Sequence, residues 1–413
     1  MHLPICIFED NKYSQLYPLS LTRPVFDLRC GMVTLKEKII RQFPEHSVHL
    51  FCRKYLKDVV QQQNPSLKVN KIDTDSCLFI NGRIIIDPAT IQTFKTEKEV
   101  IFIYNDTIAG AFLNGSNVKK FVNALEKEKN LNEFKEISRK EVEKITIINY
   151  PWDLIHNNAS EIEKDFNFSA EGGNIEGNVS DHSVLINKSN IYIGKDAVIK
   201  PGAVLDAEKG SIYIGDGAEV LPNAVIIGPA FIGNGSTIKI GAKIYGGTSI
   251  GEVCKVGGEV EESIIHSYSN KQHDGFLGHA YLGQWINIGA DTNNSNLKNN
   301  YGNVKVYVNG KVIDSGSMFV GLTMGDHSKT GINTMFNTGT VVGVMSNIFG
   351  TDFPPKFIPS FTWGSARRMM EYKYGKALET ARLVMGRRNQ KLTPEYEKMI
   401  HHIYTLTRSD KKI

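Results

Sequence analysis

The sequence predicts an α/β domain followed by a left-handed parallel β-helix of hexapeptide repeats that ends in a C-terminal helical arm. Three observations carry this. Residues 1 to about 150 alternate short apolar runs with amphipathic stretches, the pattern of a three-layer α/β domain. From Ile214 an apolar residue recurs at every sixth position. Helix signals are absent between about residue 170 and Phe349.

In order along the chain, strands are expected at Leu3 to Phe8, Val48 to Cys52, Cys77 to Ile80 and Val100 to Tyr104. Helices are expected at Val33 to Phe43, Tyr55 to Gln62 and Asn117 to Lys127. A charged stretch from Trp152 to Phe168 reads as a linking helix. The six-residue anchors are Ile214, Val220, Ile226, Ile232, Ile238, Ile244, Ile250 and Val256, with Ile193, Ile199 and Leu205 in the same spacing before them. Neither a 3.6 nor a 2.0 period produces this; three six-residue faces make one coil of a triangular prism, with the anchors stacked inside every eighteen residues. Gly and Asn are expected to supply the unusual backbone angles of the corners. The period resumes at Leu282 and Ile288, then at Val320 and Ile332, so Asn293 to Ser317 is expected to leave the prism as a loop. FPPKFIPSFTWG reads as an extended arm, and Ala366 to Arg388 and Pro394 to Thr407 as closing helices over the open end of the prism. The chain thus divides into residues 1–150, 151–170, 171–350 and 351–413.

Bulk properties narrow the function. With 413 residues, 41% hydrophobic and 22% charged, and no apolar run near the ~20 residues that span a bilayer, no membrane partner is expected. A net charge of +4 without a dense basic block makes nucleic acid an unexpected partner. Cys6, Cys30, Cys52, Cys77 and Cys254 are scattered singly, and MHLPICIFED lacks the pattern of a leader, which suits the cytoplasm.

The most reactive-looking stretch is SYSNKQHDGFLGHAYLGQWINIGADTNNSNLKNNYG. It resembles the acetyltransferase half of the bifunctional N-acetylglucosamine-1-phosphate uridylyltransferase and glucosamine-1-phosphate N-acetyltransferase family, whose motif reads His-Leu-x-Tyr-Leu-Gly, then Asn-Ile-Gly-Ala-Gly-Thr and Asn-Tyr. TRPVFDLRCG, YPWDLI, GAKIYGGTSIG, GDHSKTGINTMFNTGTVVG and IPSFTWG extend the resemblance, to a divergent bacterial branch, over nearly the whole chain. It implies an acetyl-CoA-dependent transferase acting on an amino-sugar 1-phosphate, with a nucleotide-sugar product of the UDP-N-acetylglucosamine type if the N-terminal domain transfers a nucleotidyl group.

His273 matches the motif histidine, and a neutral imidazole suits an acetyl transfer, because the attacking amine must lose a proton as the carbon–nitrogen bond forms. Asn287 and Asn296 match the motif asparagines, while Phe276 and Leu297 stand where the motif has tyrosines. Lys243 lies where the family places a phosphate-binding arginine. Asp326 and His327 form a second polar cluster, read either as catalytic support at the substrate or as a trimer contact. A filled prism has no cleft of its own, so the site is expected between neighbouring copies of a homotrimer.

In the N-terminal domain the Gly-rich phosphate loop of sugar nucleotidyltransferases is missing; Arg23 and Arg29 remain as candidate phosphate contacts. The strand-ending Gly-Asp pair that binds Mg2+ in the family is replaced by Asn81-Gly82-Arg83, making Arg83 a third candidate, and no carboxylate stands at Ile147 to Asn149. Asp106 and Asp153 are alternative Mg2+ ligands, and the resemblance leaves open whether this domain transfers or only binds a nucleotide. Two other readings are kept: a nucleotidyltransferase whose β-helix only trimerises, and a zinc-dependent hexapeptide lyase using His266, His273 and His279.

Overall fold

The computed structural model describes residues 3–127, 134 and 136–410. The few residues of the 1–150 and 351–413 segments beyond these lie outside the described residues.

The N-terminal part is a seven-stranded sheet in which Ile5–Phe8 pairs in parallel with Val48–Phe51 on one side and with the central strand Ser76–Asn81 on the other. Thr107–Asn114 then runs antiparallel between Ser76–Asn81 and Val100–Tyr104. Helices α1 (Leu35–Ile40), α2 (Lys57–Gln63), α3 (Pro88–Thr93) and α4 (Gly115–Glu126) accompany it. α1 begins because Thr34 and Glu37 form a capping box that satisfies free amides of its first turn. The long helix α5 (Pro151–Ser169) starts at a proline, with the Asp153 carboxylate accepting from the Asn149 and Tyr150 amides.

From Asn178 the chain winds as a parallel β-helix. Its first face is a nine-stranded sheet running from Ile191–Ile193 to Phe357–Ile358. The second begins at Asn178–Val179 and the third at Val184–Ile186, each with six strands in its unbroken stack. Every six-residue anchor from Ile193 to Ile288 points inward, none more than 4% exposed. Ala203, Ala224 and Ala242, fully buried, fill the remaining space.

Four expectations are corrected. After the excursion the inward residues are Met324, Phe336, Val342 and Ile348, whereas Ile332 is 68% exposed and Val320 packs outside the prism against Trp152. Asn293–Asn294 stays in the prism, and the excursion carries a hairpin of Lys305–Val308 and Lys311–Asp314. The proline-punctuated stretch is not an arm: Phe357–Ile358 and Thr362–Ser365 form a further coil, and Arg368–Glu371 pairs antiparallel with the latter, covering its edge. The closing helices α6 (Tyr374–Gly386) and α7 (Pro394–Leu406) pack beside the last coils, at Met345 and Phe361, rather than over the open end alone. Ala377, Leu378, Met399, Ile400 and Ile403 also share an apolar core with Leu56, Val59 and Val60 around α2.

Corner chemistry also departs from expectation. Between the first and second faces the left-handed position is held in successive coils by Val253, Tyr268, Trp285, His327, Met345 and Phe361. Bulky residues rarely adopt this backbone. Here ring stacking offsets the cost, with Tyr268 and Trp285 centroids 4.4 Å apart and His327 6.0 Å beyond.

The lobes interlock. Helix α5 lies between them, where the Asn158 amide joins Gly31 to Gly247 and Ser249, and buried Lys38 is held by Asp165 at 2.6 Å and Glu161 at 2.9 Å. The fully buried Tyr281 hydroxyl accepts from the Arg29 amide at 2.9 Å.

Candidate functional site

His273 sits exposed on the corner between the second and third faces, where the chain leaves Asn270–Lys271 and enters Phe276–Gly278. Round that corner, the outer surface of the third face presents Lys243, Glu259 and Phe276 in register, with Lys243 Nζ 3.7 Å from Glu259. On the second face, exposed Asn287 neighbours Asn270, whose amide oxygen accepts from Arg388 at 2.8 Å. His273 thus stands on the corner, with Asn287 on the second face and Lys243 on the third face that flank it. Asn296 is at the far side of the third face, hydrogen-bonded at 3.0 Å to Nδ1 of His279.

Both ring nitrogens of His279 are engaged, because Nε2 lies 3.1 Å from the Glu262 carboxylate and its hydrogen bond holds that carboxyl below the usual range. The ring also stacks on Phe319 at 5.0 Å. His266 is buried with Nε2 against the Asp27 carbonyl at 3.0 Å. The three histidines of the zinc reading therefore occupy three separate places, and two already have protein partners.

Asp326 and His327 are corrected. The Asp326 carboxylate is buried and accepts from Thr22 at 2.8 Å, from Arg23 and from the Gln284 amide at 2.9 Å. Buried His327 meets the Tyr396 hydroxyl of α7 at 2.9 Å. They fasten the prism to the N-terminal lobe and to the C-terminal helix, so neither faces a substrate or a second copy.

The phosphate assignments of Arg23, Arg29 and Arg83 are corrected too. Arg23 serves Asp326, and Arg29 pairs with Glu252 at 2.7 Å. Arg83 is fully buried, with Nε and Nη2 on the two oxygens of Asp10 at 2.9 and 2.5 Å and Nη1 on Ile148 O and Asn149 Oδ1 at 2.8 and 2.9 Å. This answers whether a Mg2+ ion fits. A divalent cation needs a shell of oxygen ligands that includes carboxylates. The one carboxylate of this cluster, Asp10, is engaged by Arg83 and by Asn81 at 2.9 Å. A guanidinium already fills the middle. Asp153 is spent on capping α5, and Asp106 lies in the turn after Tyr104. The residues present do not fit the ion.

Sequence reasoning overlooked a cleft of about 400 Å³ at the carboxyl ends of Ile5–Phe8 and Val48–Phe51, lined by Asn11, Tyr13, Lys54, Lys57 and Asn70 among others. The signal was available, since ligands of open α/β sheets bind at the carboxyl ends of strands.

His266 and His327 give the molecule an acid limit. Burial, the largest cause, together with neighbouring cations holds both imidazoles neutral, well below their usual range. Folded pKa values depressed in this way leave the stability fully present above the unfolded value of about 6.5 and remove it as pH falls below that, by up to about 1.4 kcal/mol per pH unit for each histidine. The urea midpoint is expected to drop between pH 7.5 and 5.5, and the double variant His266→Gln/His327→Gln to flatten that slope. An equally steep slope in the variant refutes the assignment.

Residues 5–174 match a family model described as sugar nucleotidyl transferase. A bifunctional sugar-1-phosphate nucleotidylyltransferase/acetyltransferase of Sulfurisphaera tokodaii is 32% identical over 207 residues, 49% of this chain and 44% of that protein. Bifunctional protein GlmU of Synechococcus sp. strain CC9311 is 26% identical over 194 residues, 46% of this chain and 37% of that protein. The chain thus spans less than half the length of these curated relatives. Among solved structures, the Francisella novicida UDP-N-acetylglucosamine acyltransferase aligns at 16% identity over 56% of this chain and 78% of that one, with a TM-score of 0.27. The chain therefore carries a sugar nucleotidyl transferase domain and resembles bifunctional transferases at modest identity. Among the described residues, no helix is long and apolar enough to cross a membrane.

Proposed function

We propose that this chain is an acetyl-CoA-dependent N-acetyltransferase acting on an amino-sugar 1-phosphate of the glucosamine-1-phosphate type, working in the cytoplasm as a homotrimer. The observation that supports it best is the corner of His273. Register runs through Thr237, Lys255, Asn270, Asn287 and Lys329, so Ile240, His273 and Ile332 stand in one column, three residues beyond their strand partners. Ile240 and Ile332 are each 68% exposed. An exposed apolar ridge flanking a free imidazole suits a seam between copies, with the substrate held in it.

In this reading the sugar amine attacks the thioester carbonyl carbon; the carbon–nitrogen bond forms, the carbon–sulfur bond breaks, and His273 takes the amine proton and returns it to the leaving thiolate. Lys243 meets the phosphate, and Asn287 and Asn296 contact the sugar or the acetyl group from either side of the third face. Residues 1–150 form the sugar-nucleotide domain, 151–170 the linker and 171–350 the acyltransferase, to which 351–413 add a last coil and the helices packed beside α2. The engaged Asp10–Arg83 pair favours acetyl transfer over a Mg2+-dependent nucleotidyl transfer that produces a UDP-sugar.

The test is thiol release from acetyl-CoA against a panel of amino-sugar phosphates and their hydroxyl analogues. Release only with the amines supports the reading, and no release with any of them refutes it. Ile240→Asp and Ile332→Asp should each keep the fold of a single chain, because these side chains are solvated there, while shifting sedimentation from trimer to monomer. Trimers in both variants would put the seam elsewhere.

A further inference from the structure

Along the inside of the second face, the column Ile238, Val256 and Ile288 is interrupted by Lys271, which is 1% exposed. A buried ammonium is disfavoured unless it is hydrogen-bonded, so its presence here calls for a need that it meets. Strand register identifies the need. Between the second and third faces, Thr237 to Lys243 in one coil opposes Lys255 to Glu259 in the next, and this in turn opposes Asn270 to Phe276. The middle corner, Gly257–Gly258, is two residues shorter than those on either side. The His273 corner therefore overhangs it.

Coil-to-coil bonding at this corner shows the gap. The Lys271 and Gly275 carbonyls find the Gly257 and Glu259 amides at 2.7 and 3.3 Å, and the Asp274 carbonyl meets the Asp291 amide at 3.0 Å. The His273 carbonyl, opposite the shortened corner, accepts instead from Lys271 Nζ at 2.6 Å. Gly258, at φ +70°, makes room for this: a Cβ there would lie closer than 3.0 Å to Lys271 Nζ, His273 O and Asp274 Cα. We infer that Lys271 is a positioning residue, whose ammonium supplies from inside the prism the hydrogen bond that the tightened corner cannot, and so fixes the backbone that carries His273.

The chemistry of the group agrees. Burial lowers the Lys271 pKa to about 8 against the opposing pull of Asp274 and Asp291, so the bond weakens as pH rises past that value. The inference rests on the acetyl-transfer reading only for its kinetic consequence. Its structural content is independent.

The test is Lys271→Met, in the full chain, a replacement of matched length that restores the apolar column. Thermal stability is expected to hold or rise. Backbone amide exchange at residues 272–275 should accelerate at least tenfold relative to the Lys239–Gly241 corner of the same sample. Thiol release should lose about 10- to 10²-fold in kcat with the KM for acetyl-CoA within about twofold, the size expected of a misplaced catalytic group. Lys271→Gln, which keeps a donor, should recover part of both losses. If Lys271→Met does not fold, exchange of the wild type at pH 7 and pH 9 takes its place, with selective loosening of 272–275 expected at the higher pH. Unchanged exchange at that corner overturns the inference. Absence of thiol release by the wild type sinks the acetyl-transfer reading and leaves the exchange result to judge Lys271.

Discussion

His273→Ala is expected to lower acetyl transfer by about 10²- to 10⁴-fold while the trimer and acetyl-CoA binding persist. The attacking amine is an ammonium at neutral pH, and without the imidazole it must lose its proton to water. The loss should fall on kcat and diminish as pH approaches the pKa of the amine, where free amine exists without assistance. The ring is exposed in the single chain, so its removal should leave the fold of that chain in place. His279→Ala is the control of opposite character. That ring is buried between Glu262, Asn296 and Phe319, so its removal should cost stability more than turnover. Wild-type turnover in His273→Ala at pH 7 would remove the base from this corner.

Arg83→Met should destabilise the protein by about 3–5 kcal/mol, measured as the shift in free energy of denaturant unfolding. The substitution leaves Asp10 buried without its cation, and unties three strand-end segments that meet at one guanidinium, those of Asp10, Arg83 and Ile148–Asn149. Arg83→Lys should recover only part, because an ammonium cannot match both carboxylate oxygens in a planar fork. A change below about 1 kcal/mol for Arg83→Met would show that the pair is not structural.

The inside of the prism was legible from Ile193 to Ile288 because an inward position in a tightly stacked coil admits little but apolar groups, and the spacing counts them. The phase was lost after the excursion. An inserted segment need not return the chain in step, and Ile332, apolar and correctly spaced, stands outside while Thr330 points in. Lys271 was unreadable because a period of apolar residues gives no reason to expect an ammonium among them. The three arginines failed differently. Thr-Arg-Pro reads the same whether the guanidinium faces a phosphate or a carboxylate, and the carboxylate of Arg23 lies 303 residues away in sequence. Charge type is local information, whereas the partner is a property of the fold. Motif spacing picked out His273, Lys243 and Asn287, and the coil geometry sets His273 on a corner with Asn287 and Lys243 on the two faces that flank it.

The docking of α6 and α7 against α2 has a consequence for the chain as it emerges from the ribosome. The N-terminal sheet is complete by Asn149, yet the helix that covers Leu56, Val59 and Val60 arrives with Met399, Ile400 and Ile403, some 250 residues later. At about 5–20 residues per second, that apolar patch waits roughly 10 to 50 seconds for its cover while the prism winds up coil by coil. The first lobe to be synthesised is thus the last to be closed, and the nascent protein spends that interval as a client for whatever shields exposed apolar surface in the cell.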